Sequence, residues 1–329
     1  MKILYLIFSP ILFLLTLLNF LIFKITGFQT LFSHRVFRKA FIASSGRIND
    51  FISFLISKFS VRMSLKELNR LKSNKTNWLK EKETFKNSMS NHGFYVFNEK
   101  MQKEELYLMQ KSLEKMDLYF YDLKDNKQKI LVNESDLLKS NKYSRQKDDL
   151  INSKTIRDWA LSKEIVTLAQ EYLKSKPYCD LLASWISLPT KNEQMLSKAA
   201  QKFHFDMDRI KFIKFFVYLT DVSEINGPHN YIKSSHKKLP YGLKQDGRIS
   251  DEKILNYFGH DNSIKITGPA GTIIAVDTRG FHKGTQLIEG KRDILQVEFS
   301  NSPFGLQFLK SKNSINELNR NEKEVLKYF

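Results

Sequence analysis

The chain has 329 residues, enough for one large domain or a domain with an appendage around a sizeable core. Its formal net charge of +18 comes without an Arg-rich tract, a zinc-finger spacing or an RNA-binding signature, so the charge reads as solvated lysine or membrane affinity and not as nucleic-acid recognition. One cysteine, Cys179, excludes an internal disulfide framework and a thiolate metal cluster, and only 13 glycines and 7 prolines argue against long disordered linkers.

Ile3 to Phe23 form 21 consecutive positions without a side chain charged at neutral pH. As a helix this run would be about as long as the ~30 Å hydrocarbon core is thick. It lacks the small-residue cleavage site of a signal peptide, so the expectation is an uncleaved transmembrane anchor, with a monotopic or re-entrant insertion as the alternative. Lys24, Arg35, Arg38, Lys39 and Arg47 follow the run and predict a cytoplasmic body. The stretch from Phe51 to Phe59 is amphipathic, suited either to the bilayer surface or to ordinary helix packing. The predicted domains are 1–76, anchor and basic juxtamembrane segment, and 77–329, the body.

Within the body, Trp78 to Met89 reads as a helix, Phe94 to Phe97 as a strand, and Lys103 to Leu118 as a second helix with Leu106, Met109, Leu113 and Met116 at helical spacing. Tyr121 to Asp149 is polar and Lys-rich and reads as a long loop. A helix over Lys163 to Lys174 then leads into a strand-rich half. Strands are expected over Leu181 to Leu188, Phe212 to Leu219, around Tyr231, and over Asp293 to Phe299, with Ile264 to Thr267 and Thr272 to Val276 joined as a hairpin by Gly268-Pro269-Ala270-Gly271. In the last strand Leu295, Val297 and Phe299 share one face, and Arg292, Gln296 and Glu298 the other. Ser314 to Phe329 reads as a capping helix. With 26 Phe and 13 Tyr, this is an α+β chain whose antiparallel sandwich or barrel is buttressed by helices.

The chemistry concentrates in a few residues. Phe203-His204-Phe205-Asp206 places an imidazole and a carboxylate two apart, on one face of an extended segment. His282 follows later, and Arg292 ten residues after it. Two imidazoles and a carboxylate can occupy one face of an octahedral metal and leave three positions open, the pattern of non-heme iron(II) oxygenases. His-x-Asp alone is weak evidence; the ordered set carries the reading.

That set resembles the phytanoyl-CoA dioxygenase family. The resemblance rests on Phe203 to Asp206, the strand ending Tyr218-Leu219-Thr220-Asp221, Asn226-Gly227-Pro228, Ser235-His236-Lys237, Gly268 to Thr272, and His282 with Arg292. A weaker likeness reaches back through His92-Gly93-Phe94-Tyr95-Val96 to about Trp78. The resemblance implies a double-stranded β-helix (a cupin-like jelly roll), Fe(II) as metal and 2-oxoglutarate as co-substrate. It implies that His204, Asp206 and His282 bind the iron, that Arg292 pairs with the distal carboxylate of 2-oxoglutarate, and that Phe216 flanks the co-substrate. Ser234 departs from the pattern, standing where a glycine commonly precedes Ser-His. Asp206 is present where related halogenases carry a small residue, which favours hydroxylation.

The expected function is therefore an iron(II)/2-oxoglutarate-dependent dioxygenase that uses O2 to hydroxylate a C–H bond of a membrane-associated lipid, acyl or glycan substrate. A non-catalytic jelly-roll module that binds anionic membrane lipids is the alternative, and a zinc hydrolase lacks a general base. Asp208 reads as a salt-bridge partner. Lys211 and Lys214 read as a solvated strand face or as substrate contacts, His236 as structural, and His229 as a residue of the site's mouth.

Overall fold

The computed structural model describes residues 2–306 and 318–329, so residues 314–317 of the predicted C-terminal helix lie outside the described residues, while Arg320–Val325 is helical. Eleven described strands form two antiparallel sheets. In chain order they are β1 (Phe94–Val96), β2 (Tyr119–Asp122), β3 (Lys127–Ile130), β4 (Lys142–Ser144), β5 (Tyr178–Ser187), β6 (Phe212–Tyr218), β7 (His229–Ile232), β8 (Ser263–Ile266), β9 (Ile273–Val276), β10 (His282–Gly284) and β11 (Arg292–Ser300). The large sheet runs β1-β9-β6-β11-β5-β4-β2-β3 and the small one β10-β7-β8.

Two-residue periodicity assigns the faces. Ile213, Phe215 and Val217 of β6, with Leu295, Val297 and Phe299 of β11, enter a core closed by the helices Lys82–Asn91, Lys103–Glu114 and Lys163–Leu173. On the opposite face, Phe216, Tyr218, Ile274, Val276 and Ile294 meet Tyr231 and Ile266 of the small sheet. Each fully buried Phe, Ile or Leu is worth roughly 1.5–3 kcal/mol, so both layers contribute heavily. Two antiparallel sheets packed face to face with helices on the outside make a mixed α/β fold, consistent with the expected jelly roll.

The structure corrects three expectations. The glycine turn 268–271 does not close a hairpin: β8 pairs with β7 in the small sheet, whereas β9 pairs with β1 and β6 in the large one. Turn chemistry bends the chain but does not choose the sheet it enters. The expected loop from Tyr121 to Asp149 holds the end of β2 with β3 and β4, which widen the large sheet, and its Tyr143 is buried against Phe120 just before it.

The third correction concerns the N-terminus. Among the described residues no helix is long and apolar enough to cross a membrane, and the expected spanning anchor is thereby without support. Three helices precede the body: α1 (Lys2–Thr26), α2 (Leu31–Ser44) and α3 (Arg47–Phe59). One face of α1 is committed to packing, since Phe20 and Phe23 lie 5.7 and 5.6 Å, ring to ring, from Phe304. Asn19 accepts a hydrogen bond from the Ser33 hydroxyl at 2.8 Å, and Arg279 reaches Asp50 on α3 at 3.0 Å. Phe41 of α2 stacks on Phe205, 5.7 Å away, and Phe205 meets Phe281 edge-on at 5.4 Å. The three helices thus back the two segments that carry His204, Asp206 and His282.

Candidate metal centre

His204 and His282 are joined by reciprocal backbone hydrogen bonds of 3.0 and 2.9 Å, an isolated bridge between the segment 203–206 and the start of β10. This bridge, and not a continuous strand, brings the two imidazoles together, their centroids 4.3 Å apart. The Asp206 N–H donates to the Thr278 carbonyl at 2.8 Å and fixes the carboxylate beside them. Asp206 Oδ1 lies 3.8 Å from His204 Nε2, and Oδ2 3.6 Å from His282 Nε2. One ligand atom from each residue falls within 4.8 Å of the other two, so His204, Asp206 and His282 could hold a single ion.

The tautomers follow from the partners. His204 Nδ1 faces the Lys202 carbonyl at 2.9 Å and His282 Nδ1 faces the Gly280 carbonyl at 3.0 Å. A carbonyl can only accept, so both Nδ1 atoms carry the proton and both Nε2 lone pairs point inward, as metal-ligating histidines require. Burial pushes His204 down to about 4 and His282 to about 3, which keeps both neutral at pH 7. For Asp206 burial works the other way, but the Lys214 ammonium beside it outweighs burial and holds the carboxyl well below the usual range. Two neutral imidazoles and an ionised carboxylate fit a divalent iron.

Of the two expectations for Lys214, the solvated face is corrected, since the side chain is buried, although it does line the cavity that holds the candidate ligands. Its ammonium touches Asp206 at 2.8 Å, Asp208 at 3.0 Å and Glu298 at 3.2 Å. Asp208 is therefore a salt-bridge partner, as expected, with Lys214 as its cation, and Arg209 pairs with Asp180 at 2.5 Å. Lys211 lies apart from the site, over the ring of Tyr172 at 4.4 Å. Lys214 had a legible signal: it shares the even-numbered face with Phe212, Phe216 and Tyr218 in a strand whose other residues are all apolar.

The three candidate ligands line a cavity of about 520 Å³ together with Arg292 and Phe216. Arg292 is 3 % exposed. Its Nη1 donates to the Gly227 carbonyl and its Nη2 to Ser187 Oγ at 3.3 Å, while Nε has no partner among the described residues. A Cβ on Gly284 would lie 2.8 Å from Nη2, so glycine there keeps the guanidinium clear. Phe216 packs against His229 at 5.2 Å, and His229 stacks on His282 at 5.6 Å. His229 is thus a wall of the cavity, deeper than the mouth position expected for it, and its Nε2 is buried without a partner among the described residues.

The Ser-His turn acts structurally. Ser235 Oγ donates to the Ile232 carbonyl at 2.6 Å and accepts the Phe281 N–H at 2.8 Å, next to His282. Ser234 adopts φ 66°, the left-handed conformation that explains why glycine is common there. Its hydroxyl donates to the Asn91 carbonyl at 2.7 Å.

The chain matches the family described as Phytanoyl-CoA dioxygenase (PhyH) over residues 89–287, a span containing all three candidate ligands. With well over half of the chain matched, the protein belongs to that family, and iron and 2-oxoglutarate are its cofactors. Among the curated proteins nothing matches. Among solved structures it is similar to the epimerase SnoN in complex with Fe3+, alpha ketoglutarate and nogalamycin RO (15 % identity, 68 % of this chain and 84 % of that one, TM-score 0.48). It is also similar to HygX from Streptomyces hygroscopicus with nickel, 2-oxoglutarate and hygromycin B bound (14 %, 69 % and 91 %, 0.45). A third is EctD from S. alaskensis with 2-oxoglutarate and 5-hydroxyectoine (16 %, 71 % and 81 %, 0.46). The family assignment rests on the sequence match and not on these likenesses.

Proposed function

We propose that the protein is an iron(II)/2-oxoglutarate-dependent oxygenase that hydroxylates a C–H bond, with His204, Asp206 and His282 as the metal ligands. The observation that carries this is two inward-facing Nε2 atoms and a carboxylate lining one cavity with a buried guanidinium. When bound, iron and 2-oxoglutarate supply the oxidising chemistry with O2. The residues of the chain set its geometry. Lys214 holds Asp206 Oδ2 and keeps the carboxylate charged and oriented. The backbone carbonyls of Lys202 and Gly280 lock the imidazoles. Arg292 offers a planar fork to the distal carboxylate of 2-oxoglutarate, and Phe216 walls that end of the cavity.

The cavity also supports a reading of the substrate. Besides Arg292, Lys214 and Arg145, which is paired with Asp293 at 2.8 Å, its lining holds Lys142, Lys198 and Arg248. Lys142 and Lys198 rest on the rings of Trp185 and Tyr121, at 4.3 and 4.5 Å. Burial lowers Lys142 to about 8, still cationic at neutral pH. A cavity with this many cations on partly apolar walls suits a substrate that carries an anionic group better than a bare acyl chain. We therefore favour a lipid-linked glycan or another polar lipid with an anionic group as the substrate.

The test is succinate formation from 2-oxoglutarate by purified, iron-loaded protein. Turnover that disappears in His204→Ala supports the reading. A folded, iron-free protein with no turnover but with affinity for anionic lipid would leave the binding-module alternative.

A further inference from the structure

We infer that the N-terminal three-helix layer is a docking surface for an anionic lipid bilayer, with α1 lying in the plane of the interface and not across it. The inference does not rest on the oxygenase reading. From Pro10 on, α1 is apolar on both sides, but only one side is packed. Thr16, Phe20 and Phe23 face inward and are buried. Leu14, Leu18, Leu21 and Ile25, at helical spacing on the opposite side, are 62, 54, 49 and 85 % exposed. The surface continues past the helix end through Phe28 and Phe32, 65 and 62 % exposed, and across Phe13 to Phe51 on α3, whose rings meet at 5.4 Å. A contiguous apolar face of this size marks an interaction site and not an ordinary surface.

Charge identifies the occupant. Residues 2–63 contain eight Lys or Arg and one carboxylate, Asp50, against 53 and 35 in the whole chain. Asp50 is occupied by Arg279, so the layer presents cations: Lys24, Arg35, Lys39, Arg47 and Lys58 are all exposed. A second copy of the chain would bring the same positive charge to a shared interface and be repelled. An anionic bilayer complements both features, apolar side chains entering the acyl boundary and lysines reaching back to the headgroups. Beside this face a groove of about 890 Å³ has apolar walls from Phe13 and Phe51 and cations at Arg47 and Lys238. That combination matches a lipid's chain and headgroup phosphate. The inward packing of Phe20 and Phe23 on Phe304 sets the orientation, because an upright α1 would have to leave that core.

The experiment uses the full chain and vesicles of phosphatidylcholine with or without phosphatidylserine. Wild-type protein should sediment with the anionic vesicles and be released by high salt. Arg35→Glu/Lys39→Glu/Arg47→Glu should lower partitioning by at least about tenfold, on the scale of roughly 1 kcal/mol per basic residue near an anionic surface. Leu14→Gln/Leu18→Gln/Leu21→Gln should abolish it with an unchanged melting curve, because these side chains point away from the core. Depth is read separately with Leu14→Trp and Ile25→Trp, quenched by lipids brominated at different chain positions. Equal, shallow depths are expected, whereas an upright helix would separate the two by about 16 Å at 1.5 Å per residue. Unequal depths, indifference to lipid charge, or leucine-dependent self-association without vesicle binding would each overturn the inference.

Discussion

The two faces of strands β6 and β11 are equally buried and chemically opposite. Toward the helices they present Ile213, Phe215, Val217, Leu295, Val297 and Phe299, with Asp293 at the start of β11 matched by Arg145 at 2.8 Å. Toward the small sheet they present Lys214, Phe216 and Tyr218 with Arg292, Gln296 and Glu298. Burial therefore does not separate scaffold from site; partners do. A charged group persists in such a place only when it is matched, and Lys214 is matched three times. The helix-side face fixes where the strands lie, and the other face spends that rigidity on holding a carboxylate and a guanidinium at defined positions.

Lys214→Met is the sharpest way to break the comparison, because it makes the site face resemble the scaffold face. It leaves Asp206, Asp208 and Glu298 without their shared cation, and we expect a loss of about 3–5 kcal/mol in urea unfolding. Iron affinity should fall roughly 10–100-fold by titration, since the ligand carboxylate loses its support. Phe215→Ala acts on the helix side alone. It should cost about 3–5 kcal/mol, while the protein that remains folded binds iron as wild type does. Arg292→Lys keeps the charge but removes the fork. It should raise the KM for 2-oxoglutarate roughly 10–100-fold with little change in melting temperature.

The smallest effect lies far from both faces, at Glu105 on the Lys103–Glu114 helix. Burial raises its carboxyl to about 7. Because the folded pKa exceeds the unfolded one, its contribution to stability is full below the unfolded value and is lost as pH rises through about 7. Glu105→Gln should therefore melt higher than wild type above pH 7, by on the order of 1 kcal/mol after solvent screening of this partly exposed side chain, and the advantage should vanish at acid pH.

Much of the site could be read in the sequence because its residues are constrained one by one. A histidine and an aspartate two apart, a late histidine and an arginine on a closing strand are fixed types at fixed spacings, and the fold brings them into one cavity. What escaped was relational. Lys142, Lys198 and Arg248 belong to the cavity through strand pairing and loop packing, which no local pattern announces. The separation of β8 from β9 escaped for the same reason. The apolar run at the N-terminus shows a different gap: hydrophobicity along a helix cannot say that half of it is already packed against Phe304.

The most direct test of the central claim is optical. Under anaerobic conditions, ferrous ion and 2-oxoglutarate added together to the protein should produce the visible charge-transfer band of a keto acid chelated to iron, at one equivalent of metal. Asp206→Ala and His282→Ala should lack it. A band of full intensity in either variant, or none in folded wild-type protein, would contradict the assignment of these side chains to a shared ion.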